Sequence, residues 1–205
     1  MTLNIEMQNY LKNINKDYQL AFETGTHIGD GARILSKIFK NVITCEPDLN
    51  YYKISVNNIK EKNVKILLEK SETMLAKLEE YLWEFDTKAA FYYLDAHWSA
   101  GPSGKDYGKI EQCPLIKELE LITKIEHKYF IVIDDYDLFY PDRKLENIYD
   151  ENHWPTYKQI LNFNNKNNHL YEIFEEKHPR YLVVTNEKEN LNILNLFQKI
   201  NFIEQ

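Results

Sequence analysis

A Rossmann-like α/β fold, a doubly wound sheet that is mostly parallel with an antiparallel C-terminal edge strand, is predicted by three features of the sequence. Apolar runs alternate with stretches of helical spacing through residues 20–133, the pattern of a parallel sheet joined by crossover helices. The first apolar run ends in a glycine turn, in which Glu23 is followed by Gly25, Gly29 and Gly31, and this turn opens a helical stretch. Strand after strand then ends in a polar residue, Glu23, Glu46, Ser71, Asp95 and Asp134, at the sheet edge where open α/β proteins bind ligands.

In order, residues 1–16 read as a short amphipathic helix without the continuous apolar core of a signal peptide. A strand over residues 20–22 runs into Glu23, a helix follows over 32–39, and a strand over 41–46 ends in Glu46. Residues 48–62 have helical spacing with Leu49, Tyr52, Val56 and Ile59 on one face, and residues 63–68 return as a strand. Ser71 precedes Met74, Leu75 and Leu78 and suits the N-cap of a helix over 73–83. After a loop at 86–88, the uncharged run 89–94 reads as a central strand covered on both faces and ends in Asp95-Ala96-His97-Trp98. Glycine, proline and serine concentrate in residues 99–112, which therefore read as a long loop at the ligand edge. A helix over 114–125 takes Pro114 in its first turn and buries Leu115, Leu119 and Ile122, and the strand 129–133 ends in Asp134-Asp135. Residues 136–155 are aromatic and charged without a clear period, as in a covering loop. A helix over 156–163, an antiparallel pair of strands over 170–174 and 181–185, and a terminal helix or partly ordered tail over 190–203 complete the chain.

A chain of 205 residues predicts a single domain, residues 1–205, with a core large enough to need no disulfides. The formal net charge of -7 disfavours nucleic acid as a partner, because phosphate binding needs a basic face. Cys45 and Cys113 fall in different predicted elements and make neither a disulfide framework nor a Cys-x-x-Cys metal site. No apolar run approaches membrane-spanning length, so a soluble cytoplasmic chain is expected, and a homodimer is compatible with it.

The residue types at the predicted ligand edge point to particular chemistry. Glycines such as Gly25 and Gly29 are needed where φ is positive or where a ligand lies against bare backbone. Glu23 stands where a pyrophosphate-binding loop would avoid a carboxylate, which disfavours a nucleotide-binding oxidoreductase and suits a ligand with a cationic end. Glu46 follows the turn by about twenty residues, where a carboxylate engages both hydroxyls of a ribose. Ser71 and Glu72 close the third strand at the same edge, and Ser71 also suits a helix cap there. The fourth and fifth strands are neighbours in such a sheet, so Asp95, Asp134 and Asp135 converge. Three close carboxylates repel unless a cation holds them, and hard oxygen donors suit Mg²⁺. The alternative is that Asp135 caps the following segment and Asp95 alone meets ligand. His97 ionises in the range useful to a base, and a packed ring bonded to backbone is the other reading of it.

The frame of Glu23, Gly25 and Gly29 resembles motif I of class I S-adenosylmethionine (SAM) dependent methyltransferases. The resemblance implies a class I methyltransferase fold in which Glu23, Thr24, Gly25, Thr26, Gly29, Glu46, Ser71, Glu72 and Asp95 surround SAM. Asp95 at one strand end and Asp134-Asp135 at the next resemble the metal-dependent O-methyltransferases. Catechol methyltransferases carry an Asp and then an Asp-Asn pair, and the macrocin type, which acts on sugars, carries three Asp residues in that layout. This implies Asp95, Asp134 and Asp135 as ligands of Mg²⁺ or another divalent cation and an O-methylated acceptor that is a small polar molecule, a sugar or glycoconjugate precursor. Asp95 or His97 would take the proton. The tract Leu94-Asp95-Ala96-His97-Trp98 departs from the Asp-His-Trp of the catechol enzymes by the inserted Ala96, which leaves their catalytic lysine unmatched; the nearest lysine is Lys105. The similarity spans roughly residues 22–136, with the loops 99–112 and 136–155 as lids over the acceptor. Two alternatives stay open: transfer to a phosphate or phosphoramidate oxygen of a capsule precursor, served by Lys105, Arg143 and Lys144, and a non-catalytic SAM-binding partner protein that needs neither metal nor base.

Overall fold

Strand pairing fixes the architecture. The computed structural model describes residues 3–97, 112–140, 151–162, 168–174, 179–187 and 200–202. Its elements in chain order are α1 (Ile5–Ile14), β1 (Leu20–Thr24), α2 (Asp30–Leu35), β2 (Asn41–Cys45), α3 (Leu49–Asn58), β3 (Val64–Leu67), α4 (Ser71–Leu75), α5 (Leu78–Glu84), β4 (Ala89–Leu94), α6 (Leu115–Thr123), β5 (Lys128–Ile133), α7 (Tyr157–Asn162), β6 (His169–Phe174), β7 (Pro179–Thr185) and β8 (Ile200–Phe202). The strands form one sheet in the order β3-β2-β1-β4-β5-β7-β6-β8. The pairings among β1 to β5 are parallel, and those of β7 with β5, β6 with β7 and β8 with β6 are antiparallel. The chain therefore winds outward from β1 in one direction and from β4 in the other, and the order reverses between these two neighbours.

Period-two alternation divides the core between the two faces. Leu20, Phe22, Tyr92 and Ile131 pack with Met74, Leu78, Leu119 and Ile122 of α4, α5 and α6. Ala21, Phe91, Tyr93 and Phe130 pack on the other face with Met7, Tyr10 and Leu35 of α1 and α2. β4 is buried along its whole length, as its uncharged run predicts for a central strand. No described helix is long and apolar enough to cross a membrane.

Three local expectations are corrected. The face Leu49, Tyr52, Val56 and Ile59 does not pack as a stripe: Leu49 and Val56 are exposed, and Ser55 is buried beside Ile59. The cause is Gly29, where a Cβ would lie 2.7 Å from Ile59 Cγ1 and 3.7 Å from Ser55 Cβ; α3 seats on the bare backbone of the turn. The helix expected over 73–83 is broken into α4 and α5, and Ser71 lies within the first turn of α4, with Lys70 in the cap position. At the C-terminus, β8 occupies residues expected to be helix or tail, and it pairs with β6, whose outer backbone groups would otherwise be an open edge. The loop 99–111, residues 141–150 with Arg143, Lys144 and Tyr149, and the tail 188–199 lie outside the described residues.

Candidate active site

Between β1 and β4 lies the point where strand order reverses, the place at which doubly wound sheets open a crevice at their carboxyl edge. Gly25 follows β1 there with φ of +88°, and a Cβ on it would stand 2.7 Å from the Asp95 carbonyl oxygen. The turn is drawn onto β4 by the Asp95 N–H, which lies 3.2 Å from both the Thr24 carbonyl oxygen and its hydroxyl. Gly29 caps α2 with φ of +97°. Glu46, at the end of β2, accepts from the backbone N–H groups of His27 at 2.8 Å and Asp48 at 2.9 Å, one on each oxygen. Each carboxylate oxygen retains a second acceptor position, so a pinned, bidentate acceptor stands beside the turn.

Glu23 is placed differently from the expectation of a carboxylate open to a cationic ligand. It is buried, its Oε2 accepts from the Thr44 hydroxyl at 2.6 Å, and its Oε1 fills the space that a Cβ on Gly31 would need. The Thr26 and Thr44 hydroxyls are 2.6 Å apart, so Thr26 donates to Thr44 and Thr44 donates to Glu23. Thr24, Thr26 and Glu23 thus tie the turn internally. Burial pushes the Glu23 carboxyl up to about 8, with the Thr44 hydrogen bond pulling it back and Glu46 adding to the rise. A carboxyl raised in the folded state gives stability that is full below its unfolded value and is lost as pH rises through the folded value. Thermal melts should therefore show a midpoint that declines as pH rises from the ordinary carboxylate range toward about 8 and levels off above it. Glu23→Gln should remove part of that slope, and an unchanged slope would refute the assignment. Ser71 Oγ lies 3.3 Å from Glu72 Oε2 at the start of α4, beyond the end of β3.

The acidic residues after β4 and β5 do converge, but their partners differ from those expected. Asp134 is buried: its Oδ1 takes the Arg180 Nε at 2.8 Å and the Asp135 N–H at 2.8 Å, and its Oδ2 accepts from the Tyr93 hydroxyl. Arg180 reaches Asp135 Oδ1 as well, with Nη1 at 2.6 Å. The cation that holds the pair together is a residue of the chain. The expectation of Asp134 as a metal ligand is corrected: it is buried with Arg180, the Asp135 N–H and the Tyr93 hydroxyl on its oxygens, and the donor atoms that come together beside it are those of Asp95, His97 and Asp135. The remaining oxygen of Asp135, Oδ2, lies 3.2 Å from His97 Nε2, and His97 Nδ1 lies 3.6 Å from Asp95 Oδ1. Among the described residues, Asp95, His97 and Asp135 present donor atoms that all lie within 4.8 Å of one another.

Burial pushes the Asp95 carboxyl well above the usual carboxylate range, and Asp134 and Asp135 push in the same direction. Burial also raises Asp134 to about 6, with Asp135 adding to the rise and Arg180 and Tyr93 opposing it. His97 is lowered, chiefly by burial, against the pull of Asp135. Its ring is neutral at neutral pH, so the nitrogen facing the acceptor-only carboxylate of Asp135 carries the proton and Nδ1 keeps its lone pair. The Trp154 indole meets the His97 ring edge-on at 5.5 Å and donates to Gln112 Oε1 at 3.0 Å. Trp154 and Phe139, from the expected lid 136–155, are buried in the core beside the cluster; Tyr136 is buried too and packs with Tyr140 and Tyr157.

Arg180, Tyr93 and Thr44 were not marked by the sequence. Tyr93 and Thr44 sit within apolar strands as ordinary strand residues, and the partner each finds is set by the sheet.

No protein-family model matches the chain, and no curated protein matches it in sequence. Solved structures do resemble it. An O-methyltransferase from Bacillus cereus in complex with SAH superposes with a TM-score of 0.55 at 13% identity, covering 89% of this chain and 81% of that one. The O-methyltransferase TomG from Streptomyces achromogenes, involved in tomaymycin synthesis and solved with SAM, gives 0.55 at 12% identity over 89% of this chain and 80% of that one. A spermidine synthase from Thermotoga maritima gives 0.55 at 12% identity over 95% and 65% of the two chains. The fold is that of the class I SAM-dependent methyltransferases. A spermidine synthase has it too, so the fold alone does not determine the reaction.

Proposed function

We propose that this chain is a SAM-dependent O-methyltransferase acting on a hydroxyl of a small polar molecule, a sugar or glycoconjugate precursor. The observation that supports it best is the alignment, at the strand-order reversal, of a bare glycine turn, a pinned diol acceptor at Glu46 and a His97 ring held by Asp135. SAM would lie over Gly25 with its ribose on Glu46, beside Ser71 and Glu72. The sulfonium is a good leaving group, so the protein has chiefly to hold donor and acceptor at attack distance and accept the hydroxyl proton. As the methyl carbon passes from sulfur to oxygen, the O–H bond breaks and its proton goes to His97 Nδ1. That nitrogen is 3.6 Å from Asp95 Oδ1, beyond hydrogen-bond distance, and so is free to take it. Asp135 meanwhile accepts from Nε2 and stabilises the imidazolium that forms.

A divalent cation is a second reading, supported by the triplet Asp95, His97 and Asp135. An ion there would favour the ionised forms of the buried acids, and the imidazole and carboxylate donors fit it. Those three residues would hold it, and when bound it would make an acceptor hydroxyl more acidic.

The test is S-adenosylhomocysteine formation from SAM across a panel of hydroxyl compounds, sugars included, with phosphate and phosphoramidate compounds as comparison. Turnover that survives exhaustive chelation supports His97 acting alone; turnover lost on chelation and restored by Mg²⁺ supports the second reading. A protein that binds SAM but transfers to no compound in the panel would favour a non-catalytic SAM-binding role.

Glu46→Ala should weaken SAM binding by about 1–3 kcal/mol, because two ribose hydroxyls lose their acceptor in a largely desolvated place. Equal calorimetric affinities for wild type and variant would remove the ribose assignment.

A further inference from the structure

In the sequence Arg180 precedes the second of two β-rich runs and belongs to no motif, yet as the second residue of β7 it reaches the centre of the site. The reason is strand direction. β7 runs antiparallel to β5, with Ile133 opposite Leu182, so its beginning lies at the edge where the parallel strands end. Continuing that register by two residues sets Arg180 across from Asp135.

We propose that Arg180 is a positioning residue of the transfer reaction: its guanidinium holds Asp134 and Asp135 together so that the Asp135 oxygen it does not bind, Oδ2, is fixed on His97. The proposal rests on the reading of His97 as the proton acceptor. Its support is geometric. Nε lies 2.8 Å from Asp134 Oδ1 and Nη1 lies 2.6 Å from Asp135 Oδ1, so two nitrogens of one rigid plane span two carboxylates. Asp135 has φ of 49° and ψ of 32°, a left-handed conformation that Asp enters more readily than most residues and that turns its side chain back beside Asp134. The Asp135 N–H and Arg180 Nε meet on the same oxygen of Asp134, which closes a ring of contacts around this backbone. The other oxygen of Asp134 takes the Tyr93 hydroxyl, and Asp135 Oδ2 is the oxygen that faces the imidazole.

Charge neutralisation alone would be served equally well by lysine, whereas a point charge cannot hold two carboxylates in one plane. Arg180→Lys is therefore the informative variant, with Arg180→Met as the variant that removes the charge as well. The readout is nitrogen NMR of the His97 ring in the full chain above neutral pH, alongside calorimetry with SAM. In the wild type a single tautomer with the proton on Nε2 is expected. In Arg180→Lys the chain should stay folded and bind SAM with unchanged affinity, but the His97 signals should lose their single-tautomer signature. Arg180→Met should show the same loss or fail to fold, since it leaves a buried acidic pair without its counter-charge. A lysine variant whose His97 spectrum matches the wild type would overturn the proposal, leaving Arg180 as a counter-ion only. Absence of SAM binding by the wild type would refute the proposed function instead, and the ring spectrum would still report on Arg180.

Discussion

Replacing His97 by glutamine should reduce turnover by about 10²–10⁴-fold while leaving SAM affinity unchanged, the loss expected when a positioned proton acceptor is removed. Glutamine is chosen because its amide can still donate to Asp135 Oδ2, which faces His97 Nε2 at 3.2 Å in the wild type, while it has no basic nitrogen. Steady-state rates of S-adenosylhomocysteine formation, with calorimetry for SAM, separate the two quantities. The neutral ring is the active form, so wild-type turnover should fall toward acid pH, with the limb below the ordinary imidazole value because burial lowers His97. A variant that turns over at the wild-type rate would remove His97 from the chemistry and leave Asp95 as the candidate acceptor.

Gly25→Val should damage both cofactor binding and stability. The turn holds φ of +88°, which a β-branched residue adopts only under strain, and the added Cβ would stand 2.7 Å from the Asp95 carbonyl oxygen, a backbone atom that cannot swing aside. Strain and forced overpacking together make a loss of about 3 kcal/mol or more a reasonable expectation. The damage would also reach Asp95, because the same contact sets the distance between the ends of β1 and β4. Denaturant unfolding measures the first effect and SAM calorimetry the second. Unchanged stability with normal SAM binding would mean that the turn is neither tightly packed nor the cofactor site.

What the sequence made legible was whatever depends on neighbours along the chain. The glycine turn after Glu23, the acid at Glu46 and the strand ends at Asp95 and Asp134 could be read because each is a local junction of strand and loop. The convergence of the last two followed from a rule of topology, the adjacency of the fourth and fifth strands. What surrounds each acid could not be read the same way. Glu23 looked like a group facing a ligand, and only the packing of Gly31 and Thr44 against it shows a carboxyl enclosed behind the turn. Asp134 looked like one of three metal ligands because three close carboxylates call for a cation; the one it meets, Arg180, arrives across an antiparallel pairing 46 positions later, and no periodicity announces it. The apolar spacing of Leu49 and Val56 failed for a related reason, since α3 is seated by a glycine on another element rather than by its own stripe.

Calorimetric titration of the full chain with SAM, with NAD(H) as the competing ligand, tests the proposed function most directly. The expected result is saturable binding of SAM at one site, weakened by Glu46→Ala and unaffected by His97→Gln, with no binding of NAD(H). Binding of NAD(H) without SAM, or SAM binding that is indifferent to both Glu46→Ala and Gly25→Val, would contradict a SAM site at the glycine turn.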